Sequence, residues 1–202
     1  MRRSTEAGGD MSSLQFPRVA GAFATACLAM LAGCAQVKLA EPTPSMGNIQ
    51  LARQVGPVGV GNFSLADGLP KSLDQSVSIR SNTFFSPYDS SWARYLQETL
   101  KVELRGAGAL DPASRTVISG QLTRSEVEAG SSEGTASLGA RFKATRAGKT
   151  LYESELVVSD SWPSSFVGAV AIPDAINHYM SLYRQLVAKL LGDENFKAAI
   201  KP

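Results

Sequence analysis

The sequence predicts an α+β domain: an antiparallel sheet of about four or five strands with two helices packed on one face. Three observations predict it. Segments 90–105 and 172–190 repeat apolar residues at helical spacing. Three segments between them alternate apolar and polar residues with the period of a strand. Every one of these elements has a single apolar face, so helices stacked on one side of a sheet bury them all.

The predicted domain spans 55–202. Val55 to Leu65, VGPVGVGNFSL, reads as a first strand, and Pro57 pushes it toward an edge or a strand start. Its glycines spell G-x-x-G-x-G, not the dinucleotide order G-x-G-x-x-G, and no helix follows. Close backbone contacts explain them better than a nucleotide loop. Residues 66–87 read as a long connection, with Ser76 to Arg80 as one further short strand.

A helix is predicted from Ser90 to Arg105. Pro87, Asp89 and Ser90 supply start signals, and Gly106 a stop. Trp92, Leu96, Leu100 and Leu104 recur every four residues, with Tyr95 beside them. Strands follow at Thr116–Val127, Leu138–Ala144 and Thr150–Ser159. Ile118, Gly120 and Leu122 share one face. Leu138, Ala140, Phe142 and Ala144 point inward against Gly139, Arg141 and Lys143 outward. Tyr152, Leu156 and Val158 line the third strand.

The turn between the last two strands sets a register. A two-residue loop at Ala147-Gly148 opposes Phe142 to Glu153 and Ala140 to Glu155, which buries carboxylates. A three-residue loop, Ala147 to Lys149, opposes Ala144 to Tyr152, Ala140 to Leu156 and Leu138 to Val158. It also sets Lys143 against Glu153 and Arg141 against Glu155 outside. A one-residue slip exchanges the faces, so the second register is predicted. The closing helix carries Ile172, Ile176, Tyr179, Tyr183, Leu186 and Leu190 on one stripe, with Pro173 in its first turn and Gly192 at its end. Asp193 caps a short last helix holding Phe196 and Ile200.

Residues 1–33 read as a secretory leader. Arg18 gives a positive flank, and 19–32 are apolar or small apart from Thr25. That run is shorter than the ~20 residues of a membrane span and suits a signal peptide. Met11 is a second candidate start. Of the two cysteines, Cys27 falls in the leader, so a mature chain holds Cys34 alone and no internal disulfide. Leu31-Ala32-Gly33-Cys34 resembles the lipobox of bacterial lipoproteins. The resemblance implies a diacylglyceryl thioether on Cys34 and an acylated amino terminus. Two or more acyl chains anchor stably where one does not. Ala35 in place of aspartate implies, for a Gram-negative host, the periplasmic face of the outer membrane. Residues 34–54, with Glu41-Pro42-Thr43-Pro44-Ser45, read as a lipidated tether of roughly 25 Å r.m.s. span.

Cutting before Cys34 removes Arg2, Arg3 and Arg18 from 20 basic residues and Glu6 and Asp10 from 18 acidic ones, which leaves net +1. That balance gives no electrostatic case for nucleic acid. No catalytic residue, metal site or cofactor is predicted. His178 is the only histidine, no free cysteine accompanies it, and no G-x-S-x-G elbow is present. Glu126, Glu128 and Glu133 fall in a polar stretch, EVEAGSSEGT, read as a solvated turn. Arg141, Lys143, Arg146 and Lys149 form a basic stretch. It is a candidate anion site for phosphates or carboxylates, set against a plain solvated face. Two predicted loops carry aromatics: Phe84, Phe85 and Tyr88 before the first helix, Trp162 and Phe166 before the last. They are candidate partner-binding residues, set against a role in capping the core. On the binding reading, Trp162→Ala with Phe85→Ala abolishes partner capture and leaves the fold intact.

With the lipobox, the strand VISGQLTRSEVE, the GKTLYESEL hairpin and the helix AIPDAINHYMSLYRQLVAKLL placed, the chain resembles small periplasmic lipoproteins of the YajG type. More loosely it is similar to auxiliary lipoproteins of ABC-type lipid transporters. Both resemblances imply a non-enzymatic envelope protein. Expected partners are the membrane, through acyl chains on Cys34, and an envelope protein. The expected role is a binding or assembly factor. The alternative is a lipid- or glycan-binding carrier or sensor, or an auxiliary subunit of a lipid transport system.

Overall fold

The computed structural model describes residues 37–201. The leader 1–33, the second start Met11 and the lipidation residue Cys34 lie outside the described residues. The elements run β1 (Val37–Lys38), α1 (Met46–Ala52), β2 (Gly59–Leu65), α2 (Ser72–Gln75), β3 (Val77–Ile79), β4 (Asn82–Phe85) and α3 (Trp92–Ala107). There follow β5 (Thr116–Ala129), β6 (Glu133–Arg146), β7 (Lys149–Pro163), α4 (Gly168–Gly192) and α5 (Glu194–Ile200).

The main sheet has the order β2-β5-β6-β7, and α3 and α4 lie side by side on one face of it. The α+β class is the predicted one, but the described residues hold five helices where two packed helices and a short last one are predicted, and the strands differ in two ways. First, β2 pairs with β5 in parallel, not antiparallel. The chain between them crosses the helix face through α3 and re-enters the sheet from the same end, as parallel neighbours require. Second, a separate sheet β1-β4-β3 forms within segments read as tether and connection.

The tether reading fails from residue 37 onward. Ser45 caps α1 by accepting from the Asn48 N–H at 3.2 Å. Glu103, fully buried on α3, accepts from the Ser45 N–H at 2.9 and 3.1 Å and from Asn48 Nδ2 at 3.1 Å. Asn48 Nδ2 also donates to the Arg184 carbonyl on α4 at 3.0 Å. Proline-rich linker chemistry here serves a segment pinned to the domain by polar bonds, with little apolar periodicity to announce it.

The helix stripes match expectation. Trp92, Tyr95, Leu96, Leu100 and Leu104 are buried on α3, and Tyr179, Tyr183, Leu186 and Leu190 on α4. α3 runs past Gly106, because Gly106 lies against Ile49 of α1. It stops at Gly108, whose φ of 73° suits glycine. α4 begins at Gly168, ahead of Pro173, and Asp193 accepts from the Asn195 and Phe196 N–H groups to cap α5.

The β6–β7 register is the predicted one: Ala144 faces Tyr152, Ala140 faces Leu156, Leu138 faces Val158, Lys143 faces Glu153 and Arg141 faces Glu155. The turn is different. Arg146 pairs with Lys149 across a two-residue loop, Ala147 (φ 49°) and Gly148 (φ 82°). Positive φ at both positions matches the twist of a hairpin. The register then shifts between Ala144 and Thr145, leaving Leu151 unpaired between Thr150 and Tyr152. The bulge restores the face assignment that the short loop alone would reverse.

At the centre of the core, the Tyr179 and Tyr183 hydroxyls are 2.8 Å apart, and Tyr179 lies 2.6 Å from Ser125 Oγ on β5. Trp92 meets Tyr179 edge-on at 5.4 Å, and Tyr95 meets Tyr183 at 4.9 Å. Burial drives the Tyr179 hydroxyl up to about 12 and the Tyr183 hydroxyl well above its ordinary value.

Candidate interaction surfaces

The five candidate aromatics do not form one patch. Phe84 is buried on β4, Phe85 ends that strand half-buried, and Tyr88 packs on the core beside Tyr95. Trp162 is 4% exposed and belongs to β7, not to a loop. Its ring covers Gly134 on β6, where an added Cβ would fall 2.3 Å from the indole. Trp162 also stacks on His178, whose Nδ1 lies 2.7 Å from Asp160 Oδ2. The lone histidine thus bridges α4 and β7. Core capping wins for these residues, and the exception is Phe166, 84% exposed.

Phe166 opens an apolar tip. Val167 is 57% and Val170 58% exposed, and Pro163, Ala169 and Pro173 are also exposed. The tip is held by Arg80, which sequence reasoning placed in a short strand and gave no role. Arg80 sits in the β3–β4 turn with φ 54°. Its Nε donates to the Ala129 carbonyl at 2.9 Å, and Nη2 donates to Gly130 at 3.0 Å and to Ser165. Its Nη1 donates to Phe166 at 3.0 Å. One guanidinium fork thus ties the β3–β4 turn, the β5–β6 turn and the start of α4 together, which offsets an unfavourable backbone position. An arginine at a turn carries no sequence signal for this; the four acceptors are all backbone.

The basic stretch is largely engaged. Arg141 lies 3.7 Å from Glu155, and Lys143 lies 3.4 Å from Glu153. Arg146 Nε donates to Thr116 Oγ1 at 2.9 Å, and its Nη2 donates to the Ile200 carbonyl at 2.7 Å and to Lys201 at 2.9 Å. Lys149 is exposed at the turn. These contacts favour a paired outer face over an anion site.

Glu126 and Glu128 lie on β5 and Glu133 on β6, not in a turn, because the hairpin loop is only 130–132. With Arg124, Thr135, Ser137, Ser159 and Ser161, Glu126 and Glu128 edge an open groove of about 700 Å³ on the sheet face away from the helices. The opposite, helix-facing side is filled: Ile118, Leu122, Leu138 and Phe142 are fully buried.

β7 is the last strand of the main sheet and is 15 residues long. Lys189 Nζ donates to the Val157 carbonyl at 2.8 Å, so that carbonyl points away from β6. By strand alternation, the backbone groups of Glu153, Glu155, Ser159 and Ser161 point the same way. The Ser161 N–H meets Asp160 Oδ1 at 2.9 Å.

No protein-family model and no curated protein sequence matches the chain. Among solved structures it is similar to protein XCC0632 of Xanthomonas campestris, from family DUF330, at 15% identity and a TM-score of 0.54. That match covers 79% of this chain and 94% of the other. The two proteins share a fold. A Caulobacter crescentus protein proposed to be a lipoprotein matches at 14% identity and TM-score 0.43, over 77% of this chain and 98% of its own. A minor lipoprotein of Acinetobacter baumannii matches at 14% identity and TM-score 0.38, over 72% and 91%. Among the described residues, no helix is long and apolar enough to cross a membrane, and no three His, Cys, Asp or Glu side chains gather as metal ligands.

Proposed function

We propose that this chain is a lipoprotein anchored through Cys34 at the periplasmic face of the outer membrane, where it acts as a non-catalytic binding or assembly factor. The lipobox Leu31–Cys34 supports the anchor. The observation that carries the binding role is the outer edge of β7, a long strand beside a polar groove, where the backbone groups of Glu153, Glu155 and Ser159 point outward between the Val157 carbonyl held by Lys189 and the Ser161 N–H held by Asp160. An extended segment of a partner protein adds to such an edge by main-chain pairing. An auxiliary subunit of a lipid transport assembly is one form of this role, favoured by the sequence resemblance. A carrier with its ligand between helices and sheet has less support, since large side chains fill that layer.

The test is crosslinking and capture from intact envelopes, comparing the native chain with Ser159→Pro. Proline at this position removes an outward N–H and leaves the β6 ladder in place. Capture of a defined partner should fall at least tenfold with the melting temperature unchanged. Undiminished capture would overturn the edge reading. Lipid-transport subunits among the captured proteins would select the auxiliary role. Intact mass of the purified chain, against Cys34→Ser, reads the acylation separately.

A further inference from the structure

The apolar tip and the direction of the chain at β1 point to one shared neighbour. β1 runs parallel to β4, with Val37 opposite Phe84 and Lys38 opposite Phe85. β4 leaves the β3–β4 turn at Asn82. β1 therefore starts on the side of that turn. The same turn carries Arg80, whose fork holds the Ser165 and Phe166 carbonyls. So the start of β1 at Val37 and the Phe166 tip lie at one end of the described domain.

The leash at this end is short. Only Ala35 and Gln36 lie between Cys34 and Val37, and three residue steps reach at most about 10 Å. An acyl group on Cys34 brings the bilayer to the end that displays Phe166, Val167 and Val170.

We propose that this tip is a lipid-surface contact: Phe166, Val167 and Val170 enter the interfacial layer of the bilayer that holds Cys34 and fix the tilt of the domain upon it. The proposal rests on the lipoprotein reading. Its chemistry is apolar. Arg80 is occupied by four carbonyls, and the titratable groups on the neighbouring ends of β5, β6 and β7 and on the first turns of α4 are Glu128, Glu133, Asp160, Asp174 and His178, with Lys38 on β1. Asp160 and His178 are paired with each other at 2.7 Å. The remaining carboxylates repel anionic headgroups, so the contact draws nothing from anionic lipid, and salt can only relieve that repulsion and never weaken the contact. Such a tip is too small to hold the protein on a membrane by itself; the acyl chains supply the residence and the tip supplies the orientation.

The test uses the full lipidated chain in phosphatidylcholine vesicles, with a polarity-sensitive fluorophore on Phe166→Cys or, at the far end of the sheet, on Lys149→Cys. Intact mass is taken first. The label at 166 should shift to the blue and be quenched by lipid-borne nitroxide, and the label at 149 should do neither. Anionic lipid should not strengthen the blue shift at 166, and 0.5 M salt should not abolish it. An acylated chain whose label at 166 stays in water, or whose label at 149 is the one quenched, overturns the proposal and leaves the anchor standing. A strong gain with anionic lipid overturns the apolar mode. A chain without acyl groups overturns the anchor and the proposal together.

Discussion

Trp162 lies flat on His178, with ring centroids 4.1 Å apart and planes 2° from parallel. The stack joins the end of β7 to the middle of α4, and Asp160 holds the imidazole from the strand side. Two residues that stood out in the sequence as possible chemistry thus explain each other as structure.

Trp162→Ala should cost about 3–5 kcal/mol in urea unfolding, because it empties a buried site and uncovers Gly134. Phe166→Ala should change stability by less than about 0.5 kcal/mol. The contrast corrects the expectation that Trp162→Ala with Phe85→Ala leaves the fold intact: that pair removes support from the domain. Phe166 is the one of the five candidate aromatics whose removal leaves the core untouched.

Glu103→Ala should release the N-terminal segment from the helices. It leaves the Asn48 amide and the Ser45 N–H without their buried acceptor, a loss of about 2 kcal/mol. Hydrogen exchange should quicken at α1 amides, residues 48–52, before those of α3. Uniform exchange across both helices would show that α1 is held by other contacts.

Alkaline pH should unfold the domain. The Tyr179 hydroxyl is raised by burial from 10.0 to about 12, so the folded state keeps a proton that the unfolded state loses. The stabilisation is whole below pH 10 and falls as pH rises toward 12. Tyr152 acts in the same sense: burial first, then its bond to Asp193, lifts it to about 12. Tyr179→Phe should lower stability at pH 7, through loss of its bond to Ser125, yet flatten the decline above pH 10. Urea midpoints from pH 8 to 11.5 read both effects.

Arg80→Lys should loosen one end only. A lysine has no planar fork to reach all four carbonyls. Exchange should rise at 129–130 and 165–170, with a global cost of about 1 kcal/mol. Arg80→Gly relieves the positive φ but removes the fork, and should be no more stable than the lysine variant.

The ion pairs on the outer face should matter little. Both are about half exposed, so Glu155→Gln should shift stability by less than about 0.5 kcal/mol, measured at low and high salt.

The periodic elements were legible. Four-residue spacing from Trp92 to Leu104, the stripe from Tyr179 to Leu190, and alternation from Leu138 to Ala144 all report apolar faces directly. So did the face assignment of β6 against β7, since one register buries glutamates. What escaped is held by polar or backbone bonds. α1 hangs on Glu103, and the tip hangs on Arg80; neither leaves a hydrophobic period. β4 is four residues long, too short for alternation to separate it from a connection, so Phe84 and Phe85 read as loop aromatics. The parallel pairing of β2 with β5 depends on the path of the chain over the helices, which local pattern does not carry.

The bulge at Leu151 has a consequence for how this hairpin tolerates change. Turn length and strand register are normally locked together, so that one added residue turns a strand over. Here the spare residue is already stored in β7, just past Gly148. A residue gained in the turn can be balanced by closing the bulge, with Tyr152, Leu156 and Val158 still facing the helices. Insertions of one residue between 146 and 151 should therefore be accepted where the same insertion at 130–132, beside Arg80, is not.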